Sequence, residues 1–386
     1  MKTSMRGRGL VAAVAAAALL VTACGGDDSA DEPSEEPAPA EETGAETAEE
    51  PSAETADETA DGGEVGVSLI LKNTSNPFFV SMADSAQAEA DSIGVELTVA
   101  AGQEDGDTQG QIDAIEAAIA RGDEGILVTP SGDAVVPALE QARAAGIFTI
   151  ALDTPPNPAS AVDITFATDN FLAGQLIGQW TAGTLDGEKA TIAMLDLFND
   201  QVVSVDYFRD QGFLQGMGII DEVDTSGNGN EPSTGSYSGG EYEVVCHEPT
   251  DGAVDGGRTA METCLAQNPD INVVYTINEP AAQGAFDALT AAGSADGVII
   301  VSVDGGCDPG LRLVGEGVIG ATAQQYPGRM ATLGMEAIKN LATGGEAPIP
   351  SDGLDFFNTG VALVTDNPVD GLESISVADG SEICWG

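Results

Sequence analysis

The chain has 386 residues, with 64 acidic against 12 basic side chains, a formal charge of −52, one histidine and five cysteines. So large a negative excess excludes electrostatic attachment to nucleic acid or to anionic lipid. The length allows two lobes of ordinary domain size, each with its own apolar core.

The chain opens with Lys2, Arg6 and Arg8 and passes into an apolar run over 10–20. That run is too short to span a bilayer well and reads, with the small residues after it, as a secretory signal over 1–23. The next residues, Val21-Thr22-Ala23-Cys24, resemble the lipobox of bacterial lipoproteins, which implies Cys24 as the lipid-attachment residue and a membrane contact by lipid anchor only. Residues 27–64 hold 16 Asp or Glu and no Lys, Arg or aromatic residue. Such a stretch cannot bury enough apolar area to offset its ordering entropy, and like charges extend it. The segment 24–64 is therefore expected to be a disordered acidic linker.

The body, 65–386, carries 48 acids against 9 bases. Its acidity is spread along the chain, which suits a saline surrounding better than a ligand site. Apolar runs alternate with helical patterns throughout. The spacing predicts strands over 65–71, 95–100, 125–128 and 147–152, and helices over 78–92, 109–120 and 134–145. After Thr168 the rhythm restarts, with helices at 172–184, 202–216, 257–267, 281–292 and 328–342. Strands are expected at 190–195, 242–246, 273–276, 298–303 and 317–323, with a Gly-rich irregular stretch at 221–240. Val/Ile/Leu-rich strands with little alternation belong to parallel sheets covered by helices on both faces. The expected fold is α/β, two doubly wound parallel-sheet lobes in succession.

In open sheets of this kind ligands sit beyond the carboxyl ends of the strands. The polar residues there are Asn76, Asp153, Asn278 with Glu279, Asp304 and Gln325. Planar side chains that donate and accept, beside aromatic rings, suit a sugar's hydroxyls and apolar ring face; Phe78 and Phe79 supply rings. Each position also has a plainer use. Asn76-Pro77 makes a helix N-cap, Phe78 and Phe79 fit a helix core, Asp153 and Asp304 cap turns, and Arg209 makes an exposed ion pair.

No GxSxG, GxxxxGK or strand-following GxGxxG occurs, so no catalytic residue and no cofactor are expected. His247 reads as a surface or loop residue and, with no CxxC spacing, no metal site is expected. Four cysteines remain after Cys24, and an even number in an exported chain suggests disulfides. Three connectivities are open, with proximity favouring Cys246 to Cys264 and Cys307 to Cys384.

Asn76-Pro77-Phe78-Phe79-Val80 resembles the opening motif of the ribose-type periplasmic sugar-binding proteins of ABC transporters. The similarity extends through Thr168-Asp169-Asn170, Arg209-Asp210-Gln211-Gly212-Phe213, Asn278-Glu279, Asp304-Gly305 and the stretch 321–327. The resemblance implies a type I periplasmic binding protein whose lobes, 65–168 with 326–352 and 169–325 with 353–386, are joined by a three-strand hinge. It further implies that Asn76, Asp153, Arg209, Asn278, Asp304 and Gln325 hydrogen-bond a monosaccharide while Phe78 and Phe79 pack on its ring.

The ribose type has Arg after the aspartate, where this chain has Thr154, and an aromatic residue expected near Gly252 or Ala253 has no counterpart. Runs such as Ala151-Leu152-Asp153-Thr154-Pro155, Val303-Asp304-Gly305-Gly306-Cys307 and Gly353-Leu354-Asp355-Phe356-Phe357 resemble the bacterial fructose-binding branch. That likeness implies fructose as ligand and Thr154 among the site residues. The implied partners are an ABC permease and its ATPase, for a monomer working outside the cytoplasm. The rival readings are a sugar sensor presenting its ligand to a membrane receptor, a binding protein for ribose or another pentose or hexose, a transcription-factor effector domain and an extracellular glycosidase.

Overall fold

The computed structural model describes residues 65–386. The expected signal segment 1–23, Cys24 and the acidic linker 24–64 lie outside the described residues. No helix among those described is long and apolar enough to cross a membrane.

In chain order the first half runs β1 (Val65–Leu71), α1 (Pro77–Ile93), β2 (Val95–Ala101), α2 (Thr108–Arg121), β3 (Gly125–Val128), α3 (Val136–Ala144), β4 (Phe148–Leu152) and β5 (Ile164–Ala167). It continues with α4 (Asn170–Leu185), β6 (Ala190–Asp196), α5 (Ser204–Met217), β7 (Thr234–Ser236), β8 (Glu241–Pro249), α6 (Val254–Gln267) and β9 (Val273–Thr276). The last part holds α7 (Glu279–Ala292), β10 (Ile299–Asp304), α8 (Arg312–Gly315), β11 (Ala321–Gln324), α9 (Pro327–Ala342), β12 (Phe357–Asn358), β13 (Ala362–Val364) and α10 (Val377–Gly380).

These strands form two sheets. The first has the order β12-β5-β4-β3-β1-β2 and is parallel throughout. The second has the order β13-β11-β10-β9-β6-β8-β7, with antiparallel strands β13 and β7 closing its edges. The central strands β3 and β6 are buried along their whole length, which is why they read as unbroken apolar runs. In the first lobe one core lies under α1 and α9 and the other under α2 and α3. The second lobe repeats the arrangement with α4 and α5 on one face and α6 and α7 on the other.

The α4/α5 pair is packed backbone to backbone. Gly174 and Gly178 lie against the main chain of Arg209 and Phe213, and Gly212 and Gly216 lie against that of Phe171 and Gln175. Any Cβ at these four positions would collide with main-chain atoms that cannot swing aside. The glycines thus set the position of α5, the helix that carries Arg209 to the mouth of the sheets.

The chain crosses between the sheets three times: from β5 to α4, from β11 to α9, and from β12 to β13. The third crossing corrects one expected boundary. The expected second lobe includes 353–358, yet Phe357 and Asn358 pair with Phe166 and Ala167 of β5 in the first sheet. Two residues of pairing are too few for any period-2 pattern to show. β5 was likewise not expected as a strand, because only four residues separate a turn from the crossing.

His247 departs from expectation as well. It lies within β8, and its ring is held between Asp196 and Glu231 rather than on a loop. The disulfides join Cys246 to Cys264 and Cys307 to Cys384, tying β8 to α6 and the loop after β10 to the C-terminal end.

Candidate functional site

The carboxyl ends of both sheets face one small, tightly closed cavity of about 30 Å³. It is lined by Lys72, Asn76, Phe78, Phe79, Asp105 and Asp153 from the first lobe, and by Leu197, Val205, Arg209, Ile277, Asn278 and Asp304 from the second.

Asn76 and Asn278 each have two jobs. Asn76 Oδ1 accepts from Phe78 N over 3.0 Å, capping α1, and Asn278 Oδ1 accepts from Ala281 N over 3.0 Å, capping α7. Because the caps use the oxygens, the amide nitrogens are left for the cavity; Asn278 Nδ2 spends one hydrogen on Gly252 O at 3.0 Å. The N-cap reading of Asn76 and its site reading therefore hold together.

Arg209 is not an exposed ion-pair residue: it is 5% exposed. Its Nε donates to Asn170 Oδ1 at 2.8 Å and its Nη1 to Ile277 O at 2.9 Å, which fix the guanidinium plane. It then stands 3.5 Å from Asp304 Oδ1 and 3.8 Å from Asp153 Oδ1, so one arginine bridges acids from both lobes. Lys72 approaches Asp153 Oδ2 to 3.8 Å and lies 5.8 Å from the centre of the Phe79 ring. Asp153 Oδ1 has no hydrogen-bond donor in the protein. A buried carboxylate oxygen facing a cavity is an acceptor for a ligand hydroxyl.

Burial pushes the Asp304 carboxyl up to about 7; Arg209 works against that shift and Asp153 adds to it. Burial also raises Asp105, opposed by Lys72 and by the Asn73 amide, which donates to Asp105 over 3.2 Å. Two cations therefore face three acids in the cavity. Glu104, Asp105, Asp107, Asp200 and Asp251 line the adjoining opening between the lobes. Such a field repels an anionic solute and leaves hydrogen bonding as the means of holding a neutral one.

Phe78 and Phe79 are 3% and 4% exposed and belong to the first lobe's core while edging the cavity. Trp385 stacks edge-on against Phe78 with ring centres 5.3 Å apart, and its indole Nε1 donates to Gln325 O at 2.9 Å. The C-terminal end thus props the aromatic wall from behind.

Three expected residues do not line the cavity. The Thr154 hydroxyl turns back to Asp153 Oδ2 at 2.8 Å. Gln325 is fully buried and donates Nε2 to Asp304 Oδ1 at 2.7 Å. Both orient an acid rather than face a ligand. Glu279 points away from the cavity, accepting from Gly305 N at 2.7 Å, Gly306 N at 3.2 Å and Thr322 Oγ1 at 2.8 Å, and so holds the loop that presents Asp304.

Sequence reasoning missed Lys72, Asp105, Leu197, Val205 and Ile277. Lys72 and Asp105 follow β1 and β2 as closely as the chosen residues follow their strands. Lys72 is also one of only nine bases in the body, a usable signal. Asp105 was hidden among so many acids.

Residues 67–346 match a family model described as a periplasmic binding protein domain. The chain belongs to that family. The ribose import binding protein of Salmonella typhimurium is 29% identical over 279 residues, which span 72% of this chain and 85% of that protein. The D-apiose import binding protein of Actinobacillus succinogenes is 30% identical over 67% of this chain and 76% of its own length. An ABC transporter solute-binding protein of Agrobacterium vitis, solved with alpha-D-tagatopyranose, superposes with a TM-score of 0.67 at 20% identity over 84% of this chain and 100% of that one, a likeness of fold. The curated relatives that this periplasmic binding protein matches are import binding proteins rather than enzymes.

Proposed function

We propose that this periplasmic binding protein captures a neutral monosaccharide, fructose, between its lobes and delivers it to an ABC permease from a lipid anchor at Cys24. The observation that carries the reading is the convergence of Asn76, Asp153, Arg209, Asn278 and Asp304 on one cavity beside two phenylalanine edges. The printed names of the curated relatives, import binding proteins for ribose and for D-apiose, support a sugar as the solute. Fructose rather than ribose is favoured by the runs that resemble the fructose-binding branch and by Thr154 at the position where the ribose type has Arg.

The mechanism follows from the two-lobed lining. A sugar that touches Asp153 on one lobe and Asn278 and Asp304 on the other stabilises the closed form by contacts the open form lacks. Asp153 Oδ1 and Asp304 accept from hydroxyls, Arg209 and the two asparagine amides donate to them, and the phenylalanine edges take the C–H face. The closed surface is what a permease would bind.

Isothermal titration of the folded body with fructose, ribose, mannose, glucose and xylose tests the assignment. Fructose should bind at least tenfold more tightly than ribose. A tighter ribose complex would remove fructose, and no heat with any of the five would remove the sugar reading. Cys24→Ala should release the protein from the membrane fraction; an unchanged distribution would refute the anchor.

A further inference from the structure

A second polar cluster lies in the second lobe, among residues that do not line the sugar cavity. Asp196 ends β6, Asp206 and Asp210 stand one turn apart on α5, His247 is in β8 and Glu231 lies in the segment before β7. One ligand atom from each of Asp196, Asp210 and His247 falls within 4.8 Å of the others. His247 Nδ1 is 2.7 Å from Asp196 Oδ2 and 3.9 Å from Asp210 Oδ2. Its Nε2 meets Glu231 Oε1 at 2.8 Å. Among the described residues no lysine or arginine pairs with these acids, so His247 alone stands against four carboxylates.

Several of the acid oxygens are accounted for. Asp206 accepts from Leu197 N at 2.9 Å and Phe198 N at 3.1 Å, and Asp210 Oδ1 accepts from Gln211 Nε2 at 3.1 Å. The others are not. Asp210 is 0% and Asp196 3% exposed, yet Asp210 Oδ2 and Asp196 Oδ1 have no donor. The Tyr275 hydroxyl, outside the acid cluster and fully buried, also has no partner. Its ring is packed on Phe213, and burial first, then the charges of Asp210, Asp206 and Asp196, hold its hydroxyl well above the usual tyrosine range. Unpartnered buried oxygens on β6 and α5, beside an imidazole on β8, are costly unless something bridges them.

We propose that Asp196, Asp210 and His247 form a site for a divalent transition-metal ion, zinc or manganese. One imidazole nitrogen with two carboxylates is a donor set of that class, whereas calcium and magnesium take oxygen alone. Glu231 on the other ring nitrogen is the outer carboxylate that orients a ligating imidazole. The site ties β6, α5 and β8 together, and Asp210 adjoins Arg209, so a bound ion braces the helix that carries the arginine into the sugar cavity.

The test uses the folded body stripped with a chelator and titrated with ZnCl2, MnCl2 and, for contrast, CaCl2. One zinc or manganese ion should bind per chain. A hundredfold excess of metal over its dissociation constant should raise the melting temperature by at least about 3 °C. Asp210→Asn and His247→Gln should each weaken that binding at least tenfold, while fructose affinity in the chelator-treated variants stays within threefold of the similarly treated parent. Should His247→Gln fail to fold, Asp210→Asn, close in shape to the parent residue, decides. No stoichiometric uptake by the parent chain would leave an ion-pair cluster only and overturn the proposal. So would equal uptake by the variants, which would mark adventitious binding to the acidic surface, or tighter binding of calcium.

Discussion

Replacing Asp304 by alanine takes an acceptor out of the cavity and deprives two neighbours of their partner. Gln325 Nε2 donates to Asp304 Oδ1 at 2.7 Å and is fully buried, so the change removes the partner of a buried donor. Arg209 Nη1 loses an anion 3.5 Å away. A hydrogen bond from a sugar hydroxyl to a buried carboxylate is worth about 1.5–3 kcal/mol. Asp304→Ala should therefore weaken monosaccharide binding by about tenfold to a hundredfold. Asparagine keeps an oxygen for Gln325 and removes only the charge, so Asp304→Asn should cost about threefold to tenfold. Gln325→Ala acts through Asp304, and combining it with Asp304→Ala should add little to the single change. Titration calorimetry near neutral pH, on variants whose melting curves show a native fold, reads all four values. A dissociation constant unchanged in a folded Asp304→Ala chain would take Asp304 out of the site, and full additivity of the pair would refute the positioning role of Gln325.

Burial raises Glu279 to about 8, with Asp304 adding and the donors from Thr322, Gly305 and Gly306 opposing. A carboxyl whose folded pKa lies above its unfolded one contributes stability in full below about pH 4.5, and that contribution is lost as pH rises through about 8. Glu279→Gln should flatten this part of the profile, and melting curves at several pH values that keep the parent slope would count against it. Gly178→Ala puts a methyl group into the Phe213 main chain. It should destabilise the fold by about 1–3 kcal/mol and weaken sugar binding by shifting Arg209; a urea midpoint within error of the parent would show that α4 and α5 have room.

Several parts of this protein were settled by sequence alone. Strands such as 65–71, 125–128 and 273–276 were legible to the residue because helices bury both faces of a parallel strand, and a continuous apolar run is the local trace of that burial. That Asn76, Asp153, Asn278 and Asp304 meet at one cavity follows from their places beyond strand ends, whereas Arg209, on α5, was pointed to only by the family resemblance.

Tertiary structure decided what depends on partners distant in the chain. Whether Gln325 and Thr154 touch a ligand or an aspartate is set by which side chain each one meets, and no local pattern records that. β12 exists only because β5 lies beside it. The charge at Asp153 is met by Lys72 from one lobe and Arg209 from the other. His247 looked idle in the sequence because its four acids come from three separate segments. Burial and long-range pairing are properties of the assembled chain, so they appear only once the lobes have closed around the positions that the sequence can merely nominate.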